Sequence, residues 1–158
     1  MKLLRITAFL LCLLLTAAGT ALAKPVITSD SSYLDVNTGR YILEGHVRVD
    51  TGSRVITADK AQVSIASLEV WGQGNITLVQ DDIHFTGDRV YVNGNDHEAT
   101  ITGTADFERT GLSITSGSAS FNWETKIADF YDHVTVTRGD QTAISEHVSY
   151  NVIDDVIL

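Results

Sequence analysis

The sequence predicts an all-β fold built from about four and a half copies of a 29-residue hairpin. Three observations indicate this fold: a spacing of 29 residues that recurs without insertions, apolar residues that alternate with polar ones inside each unit, and turn-forming residues between the alternating stretches. Self-similarity at a fixed period is typical of repeat architectures, and alternation with period two is typical of strands with one buried face.

The repeat is defined by columns of similar residues, each 29 positions apart. One column is mostly acidic and contains Asp30, Asp59, Asp88, Gly117 and Glu146. Three positions earlier lies an apolar column of Ile27, Ile56, Phe85, Ile114 and Ala143. A third column contains Gly45, Gly74, Gly103 and Asp132. Because several columns share one period, chance similarity is a poor explanation for them.

Each unit is predicted to be a bent hairpin. In the second unit Ile56 and Ala58 alternate with polar neighbours, and the parity then slips before Ala61 and Val63 continue. A shift of one residue turns side chains to the other face of a strand, so the slip predicts a bulge or bend near Asp59. The two halves of each arm are then expected to line two sheets, stacked into a slender trough or jelly roll.

The N-terminus reads as an export signal. Lys2 and Arg5 precede a mostly apolar run, and Ala21-Leu22-Ala23 supplies small residues for cleavage. We therefore expect residues 1–23 to be a cleavable signal peptide and residues 24–158 to form one exported domain. Without the first 23 residues the chain keeps 9 basic and 20 acidic side chains, a net charge of −11. Such a charge argues against nucleic acid as a partner.

Catalytic and metal sites are not favoured by the residue pattern. One acidic residue per 29 is sparse for calcium, which takes several oxygen ligands at short spacing, so the aspartates are read as corner residues that satisfy backbone N–H groups. The histidines show no zinc spacing and no nucleophile–base pair. His46 and His133 occupy equivalent outward positions. We expect no enzyme activity, no cofactor and no metal.

The inward column leaves two readings of the interior open. It mixes large aromatic residues such as Phe85, Phe107 and Phe121 with glycines and alanines. Interlocking side chains would make it a filled core. Incomplete closure would instead leave room for an apolar ligand along its length.

Two repeated segments resemble the LptA/OstA family of lipopolysaccharide-transport proteins. They are Ile56-Thr57-Ala58-Asp59-Lys60-Ala61-Gln62-Val63 and Leu43-Glu44-Gly45-His46-Val47-Arg48-Val49, and the resemblance extends over about residues 27–158. It implies an elongated, twisted β-jelly roll that carries lipopolysaccharide across the periplasm, with lipid A acyl chains in a hydrophobic groove. By column, the groove would be lined by Ile56, Val63, Ile76, Leu78, Phe85, Val92, Ile101, Phe107, Ile114, Phe121, Phe130, Val134 and Val136.

The resemblance also implies partners that pair along strand edges. These are an inner-membrane-anchored protein and an outer-membrane protein of the same fold, together with head-to-tail association of the chain itself. The edge role would fall on Ile27, Leu34, Val36, Val148, Tyr150, Val152 and Ile157. Two alternatives stay open: a membrane-anchored subunit of the same transport system, and a structural protein that polymerises through its edges without a ligand.

Overall fold

The computed structural model describes residues 26–50, 52 and 54–158. The predicted signal peptide therefore lies outside the described residues, as do Thr51 and Ser53 of one predicted turn. The described part of the chain forms eleven strands: β1 (Val26–Thr28), β2 (Ser31–Asp35), β3 (Arg40–Asp50), β4 (Val55–Ser64), β5 (Glu69–Gln80), β6 (Ile83–Asn93), β7 (Glu98–Arg109), β8 (Leu112–Asn122), β9 (Ile127–Arg138), β10 (Gln141–Asn151) and β11 (Val156–Ile157). Within these residues no helix is long and apolar enough to cross a membrane.

All eleven strands belong to one antiparallel sheet in which sequence neighbours pair. The order is β1-β3-β4-β5-β6-β7-β8-β9-β10-β11, and β2 also pairs with β3. The all-β prediction and the repeated hairpin are confirmed. The predicted trough is formed by one continuous sheet that is folded lengthwise, and the end strands of that sheet are not paired with each other.

The fold line is a row of bulges at the predicted corner. Between Glu44–Lys60 and Val47–Ala58, for example, two residues of β3 oppose Asp59 of β4. The extra residue lies on the returning strand rather than on the arm that carries the aspartate. Gly45 (φ 73°) and His46 (φ 46°) are both left-handed there, a conformation that glycine adopts at little cost. The bulge bends its strand, and its repetition folds the whole sheet.

The fold line divides the sheet into two walls. Wall A comprises 40–44, 60–64, 69–73, 89–93, 98–102, 118–122, 127–131 and 147–151, and wall B comprises 46–50, 55–58, 76–80, 83–87, 105–109, 112–116, 134–138 and 141–145. Side chains from both walls pack in the same two apolar clusters. The walls therefore face each other across a trough, and the turns along their outer margins border its mouth.

The turns along the margin of wall A repeat one design. Their last residues, Gly39, Leu68, His97, Lys126 and Asp155, are all left-handed and lie 29 positions apart. A side-chain oxygen at a second column, Asp35, Ser64, Asn93, Asn122 and Asn151, accepts a backbone N–H inside each turn. Neighbouring turns are also joined, since Gly94 N donates to Leu68 O at 2.8 Å and Trp123 N donates to His97 O at 3.0 Å. Val152 N donates to Lys126 O at 3.0 Å in the same way, so hydrogen bonds join the last four turns of the margin.

Candidate functional site

The strand register places the apolar columns in rows that run the length of the trough. On wall B, paired residues form the row Ile27, Val49, Ile56, Leu78, Phe85, Phe107, Ile114, Val136 and Ala143. On wall A, one row contains Tyr41, Val63, Val70, Val92, Ala99, Phe121, Ala128 and Tyr150. Wall A residues nearer the fold line form a second row, which includes Val90, Ile101, Ala119 and Phe130. Ile76 and Val134 lie on wall B beside the bulges.

All thirteen residues predicted to line the interior have inward-facing positions in these rows, but their burial differs along the trough. Seven of them are buried: Val63, Ile76, Phe107, Ile114, Phe130, Val134 and Val136. The other six are only half-buried: Ile56, Leu78, Phe85, Val92, Ile101 and Phe121. The two readings of the interior therefore apply to different parts of the same trough.

The C-terminal part of the interior is filled. Phe107 of wall B meets Phe130 of wall A with ring centroids 5.9 Å apart, and it meets Tyr150 at 5.5 Å. Both contacts are edge-to-face, an arrangement that aromatic rings prefer. Ile114 and Val134 in the same cluster are also fully buried. Side chains from opposite walls thus meet here in the manner of an ordinary protein core.

A polar bridge crosses the mouth of the trough at this filled end. Arg109, at the margin of wall B, donates from Nη1 to the Tyr150 hydroxyl and to the Val152 carbonyl oxygen, both at 2.9 Å. The Tyr150 hydroxyl donates to Asp155 Oδ1 at 2.8 Å, and Arg138 Nη2 donates to the same oxygen at 2.9 Å. We call these four side chains, Arg109, Arg138, Tyr150 and Asp155, the C-terminal latch.

Two members of the latch have shifted pKa values: that of Tyr150 is raised and that of Asp155 is lowered. Burial is the main reason that the pKa of Tyr150 is raised. The hydrogen bond from the Tyr150 hydroxyl, followed by that from Arg138, lowers the pKa of Asp155 below its ordinary 3.8. Asp155 therefore stays ionised in the folded protein, where it accepts both hydrogen bonds.

Between β4 and β8 the interior also contains apolar side chains that are only half-buried. The half-buried residues lie on five neighbouring strands, with Ile56, Leu78 and Phe85 directly paired on wall B. The N-terminal cluster packs mainly beside the fold line, through residues such as Val47, Ala58 and Ala61. The six half-buried side chains are therefore less enclosed than the C-terminal core, although Phe85, Ile101 and Phe121 pack against that core.

The aspartate column builds the corners rather than an ion site. Asp30, Asp59 and Asp88 lie over the glycines of the returning strand, where a Cβ on Gly103 would stand 2.4 Å from Asp88 Oδ2. Successive corners are two strands apart, or about 10 Å, too far for their carboxylates to share one ion. Among the described residues no three His, Cys, Asp or Glu side chains are grouped for a metal.

The aspartates differ from the prediction in what they bond. The sequence predicted that they accept backbone N–H groups. Instead, Asp30 Oδ2 bonds to His46 Nδ1, and Asp59 Oδ2 accepts from Asn75 Nδ2, each at 2.8 Å. At the fourth corner the residue types are exchanged, since Gly117 faces Asp132. Each of these corners therefore accommodates one carboxylate and one glycine, whichever strand carries them.

The histidines are all exposed, as predicted for His46 and His133. His147 Nε2 lies 3.0 Å from Asp129 Oδ1 and 3.4 Å from Ser149 Oγ. A nucleophilic relay needs the acid and the hydroxyl on opposite ring nitrogens. Here both face the same nitrogen, so the three side chains do not form such a relay.

The residues predicted for edge pairing occupy different environments. Leu34, Val36 and Ile157 are exposed, and Ile27 and Val152 are half-buried. Val148 and Tyr150 are buried, and Tyr150 pairs with Ile157 of β11. Within the described residues, the free backbone edges are those of β1 and β2 at one end, and of residues 141–148 and β11 at the other.

Two features of the site were not predicted from the sequence. The turn column of Asp35, Ser64, Asn93, Asn122 and Asn151 keeps the 29-residue period, so the period itself could have revealed it. The C-terminal latch could not be found in that way. Arg109 and Tyr150 are 41 residues apart, a separation unrelated to the repeat.

An open antiparallel sheet folded around an apolar interior is a β-jelly roll. Residues 26–69 match the family model described as "LptA/(LptD N-terminal domain) LPS transport protein". Over residues 26–69 this match agrees with the resemblance predicted from the repeats, and the description of the family model is that of a transport protein. No curated protein sequence matches the chain significantly.

The fold is similar to that of a solved structure. That structure is "LptH, the LptA homologous periplasmic component of the conserved lipopolysaccharide transport device from Pseudomonas aeruginosa". The TM-score is 0.60 at 16% sequence identity, and the similarity covers 77% of this chain and 93% of that one. At this identity the similarity establishes the jelly-roll fold.

Proposed function

We propose that this chain is a periplasmic lipopolysaccharide-binding transport protein that holds lipid A acyl chains inside its trough. The family match over residues 26–69 and the LptH-like fold support the lipopolysaccharide-transport part of the proposal. The observation that carries the acyl-chain part is the half-buried apolar surface between β4 and β8. A periplasmic location follows from the predicted signal peptide and from the description of LptH as periplasmic.

Apolar burial supplies enough energy for such a role. Each methylene transferred from water into an apolar environment contributes about 0.8 kcal/mol. Leu78, Phe85 and Phe121 offer large apolar side chains that are neither fully buried nor fully exposed. An acyl chain laid along them would cover this surface without displacing the filled part of the interior.

The burial pattern also limits where the lipid lies. Of the predicted lining, Ile56, Leu78, Phe85, Val92, Ile101 and Phe121 would contact it first. Phe130, Ile114 and Val134 are fully buried against other side chains. Lipid contact at these three would require the C-terminal half to open. We therefore propose that acyl chains lie against the half-buried side chains of β4 to β8, and not against the filled core that β7 and β8 share with β9 and β10.

The proposed partners are proteins of the same fold on either side of the periplasm. An exposed strand edge offers unpaired N–H and C=O groups to another chain. Edges of this kind lie at β1 and β2 and at residues 141–148 and β11. We propose that they pair with inner-membrane-anchored and outer-membrane partners, or with a second copy of this chain.

Site-specific photo-crosslinking in cells tests the position of the lipid. A benzophenone amino acid at Leu78 or Phe121 is expected to label lipopolysaccharide. Matched controls carry it at Val79 and Ser120, because each is the outward neighbour of a lining residue, and Val79 is itself an exposed apolar side chain. Circular dichroism checks that each variant is folded.

The pattern of labelling decides among the alternatives. Strong labelling at Leu78 and Phe121, with little at the two outward controls, is the expected result. Equal labelling at all four positions would contradict an interior site. Folded variants that form end-to-end polymers but carry no lipid at any position would favour the purely structural alternative. N-terminal sequencing of the exported protein distinguishes a cleaved signal from a retained membrane anchor.

A further inference from the structure

The outer face of wall A is concave and carries its own constellation of side chains. Outward residues of β2 to β7 surround a depression of about 970 Å³. The register sets two rows across it. One contains Gln62, Trp71 and Tyr91, and the other contains Lys60, Gln73 and Arg89. These side chains point away from the trough, so the proposed acyl-chain site does not use them.

The first row provides an ordered aromatic surface. The rings of Trp71 and Tyr91 lie 5.7 Å apart, and the guanidinium of Arg40 lies 3.9 Å above the Trp71 ring. The Tyr91 hydroxyl donates to Glu69, and this bond is the main reason that the pKa of Tyr91 is raised. Stacking and hydrogen bonding thus hold both rings in place before any ligand arrives.

The second observation is a basic side chain at this depression that has no acidic partner. The lining contains two basic residues, Lys60 and Arg89, and two acidic residues, Asp35 and Glu44. Lys60 Nζ is 3.6 Å from Glu44 Oε1. Arg89 makes no ion pair with any side chain that the structure describes. Its guanidinium is therefore available to an anion, and guanidinium groups bind phosphate and carboxylate through paired hydrogen bonds.

We propose that this outer face binds the acidic saccharide portion of the lipid whose acyl chains occupy the trough. The inference rests on the proposed function and names a second subsite for the same molecule. Aromatic rings pack against the C–H faces of sugars, amide side chains such as Gln73 bond to hydroxyls, and Arg89 pairs with a phosphate or carboxylate. We call Trp71, Tyr91, Gln73 and Arg89 the saccharide face.

The geometry allows one lipid to reach both subsites. Trp71 and Tyr91 are each two residues from the margin of wall A, at Glu69 and Asn93, which is about 7 Å along a strand. The same strands, β4 to β6, carry the half-buried Ile56, Leu78, Phe85 and Val92 on their inner side. A headgroup emerging at the mouth can therefore turn over the margin and lie on the outer face.

Binding of a fully deacylated, phosphorylated lipid A–core saccharide tests this inference without the acyl chains. Isothermal titration with the full chain is expected to show binding that Arg89→Gln and Trp71→Ala each weaken at least tenfold. Arg48→Gln is the matched control, because Arg48 is an exposed arginine on the outer face of wall B and pairs with Asp50 at 3.0 Å. It should leave the affinity unchanged.

Two further probes identify the recognised chemistry. The dephosphorylated saccharide should bind more weakly to the wild type and should not respond to Arg89→Gln. Inorganic phosphate alone should not compete at equal concentration, because it lacks the sugar rings that meet Trp71. Equal affinity of wild type and both variants for the phosphorylated saccharide, or no binding at all, would overturn the inference.

The outcome can be separated from that of the proposed function. If Leu78 and Phe121 label lipopolysaccharide but the saccharide does not bind, only the saccharide face is wrong. If the saccharide binds and those interior positions do not label, the acyl-chain site is wrong. A crosslinker at Gln73 that captures another protein in place of lipopolysaccharide would also contradict the saccharide face.

Discussion

At the scale of single residues, the corners depend on a close fit between a carboxylate and a glycine. Gly103 has φ +76°, and a Cβ there would lie 2.4 Å from Asp88 Oδ2 and 2.9 Å from Asp88 Cβ. Any larger residue at position 103 would therefore have two unfavourable effects: the strain of a left-handed backbone conformation, and steric overlap with the Asp88 side chain. Gly111 has nearly the same φ, +79°, but a Cβ there would meet no atom within 4 Å. The two glycines allow the costs to be measured separately.

We predict that Gly103→Ala lowers the free energy of unfolding by about 2–4 kcal/mol, because strain of about 1–2 kcal/mol is added to overpacking. Gly111→Ala, the control, should lose only the strain part. Adding Asp88→Gly to Gly103→Ala should restore most of the difference between them. Urea unfolding measures all four proteins. Equal losses in the two single alanine variants would show that the Asp88 contact is unimportant.

The residue columns correctly predicted which positions form the corners, but not which side chains contact each other there. The period of 29 identified Asp30, Asp59 and Asp88 as equivalent, and Gly117 as the exception. The reason for the exception became clear only in three dimensions, because Asp132 supplies the carboxylate from the opposite strand. A column compares positions along the chain, whereas the corner is filled by a pair across two strands.

At the scale of strands, the interior has half-buried apolar side chains on β4 to β8 and a filled core that extends from β7 to β10. Alternation placed Phe85, Phe107 and Phe130 on the inner face. It could not show which of them meet a partner from the other wall, since that depends on the spacing of the walls. The C-terminal latch adds a polar closure where Arg109 reaches Tyr150 across the mouth.

Tyr150→Phe is predicted to lower the free energy of unfolding at neutral pH by about 1–2 kcal/mol, because Arg109 and Asp155 each lose a hydrogen-bond partner. The control is Tyr131→Phe, since the Tyr131 hydroxyl makes no hydrogen bond with the described residues. Urea unfolding of the three proteins provides the measurement. A loss no greater than that of Tyr131→Phe would contradict a stabilising latch.

The same variant should respond to acid in a defined direction. The folded pKa of Asp155 is depressed, so its contribution to stability is present above the unfolded value, 3.8, and is lost as pH falls through the lower folded value. The Tyr150 hydroxyl is the largest cause of that depression. The stability difference between wild type and Tyr150→Phe should therefore shrink in this acidic range, and a constant difference would exclude Asp155 as its source.

At the scale of the whole molecule, the sheet ends in edges that are open within the described residues. Residues 141–147 are all exposed, and Ile144 presents 77% of its surface to solvent. Exposed apolar edges promote pairing between chains, and a charge placed on them opposes it. The resemblance implied an edge role for Tyr150, whereas the structure pairs that residue with Ile157 of β11.

We predict that Ile144→Lys weakens head-to-tail association at least tenfold, as measured by sedimentation velocity over a range of protein concentrations. The control is Ile153→Lys, because Ile153 is 70% exposed but lies in the turn between β10 and β11. It should associate like the wild type. If both substitutions have the same effect, general surface charge rather than the β10 edge controls association.

The corner contacts have a consequence for the length of the molecule. The paired corner positions, such as Asp59 with Gly74 and Gly117 with Asp132, are always 15 residues apart, within one 29-residue unit. Removing or adding a whole unit would therefore leave every remaining pair intact and change the length by two strands, or about 10 Å. The number of units therefore sets the length of the sheet, while the geometry of each corner stays the same.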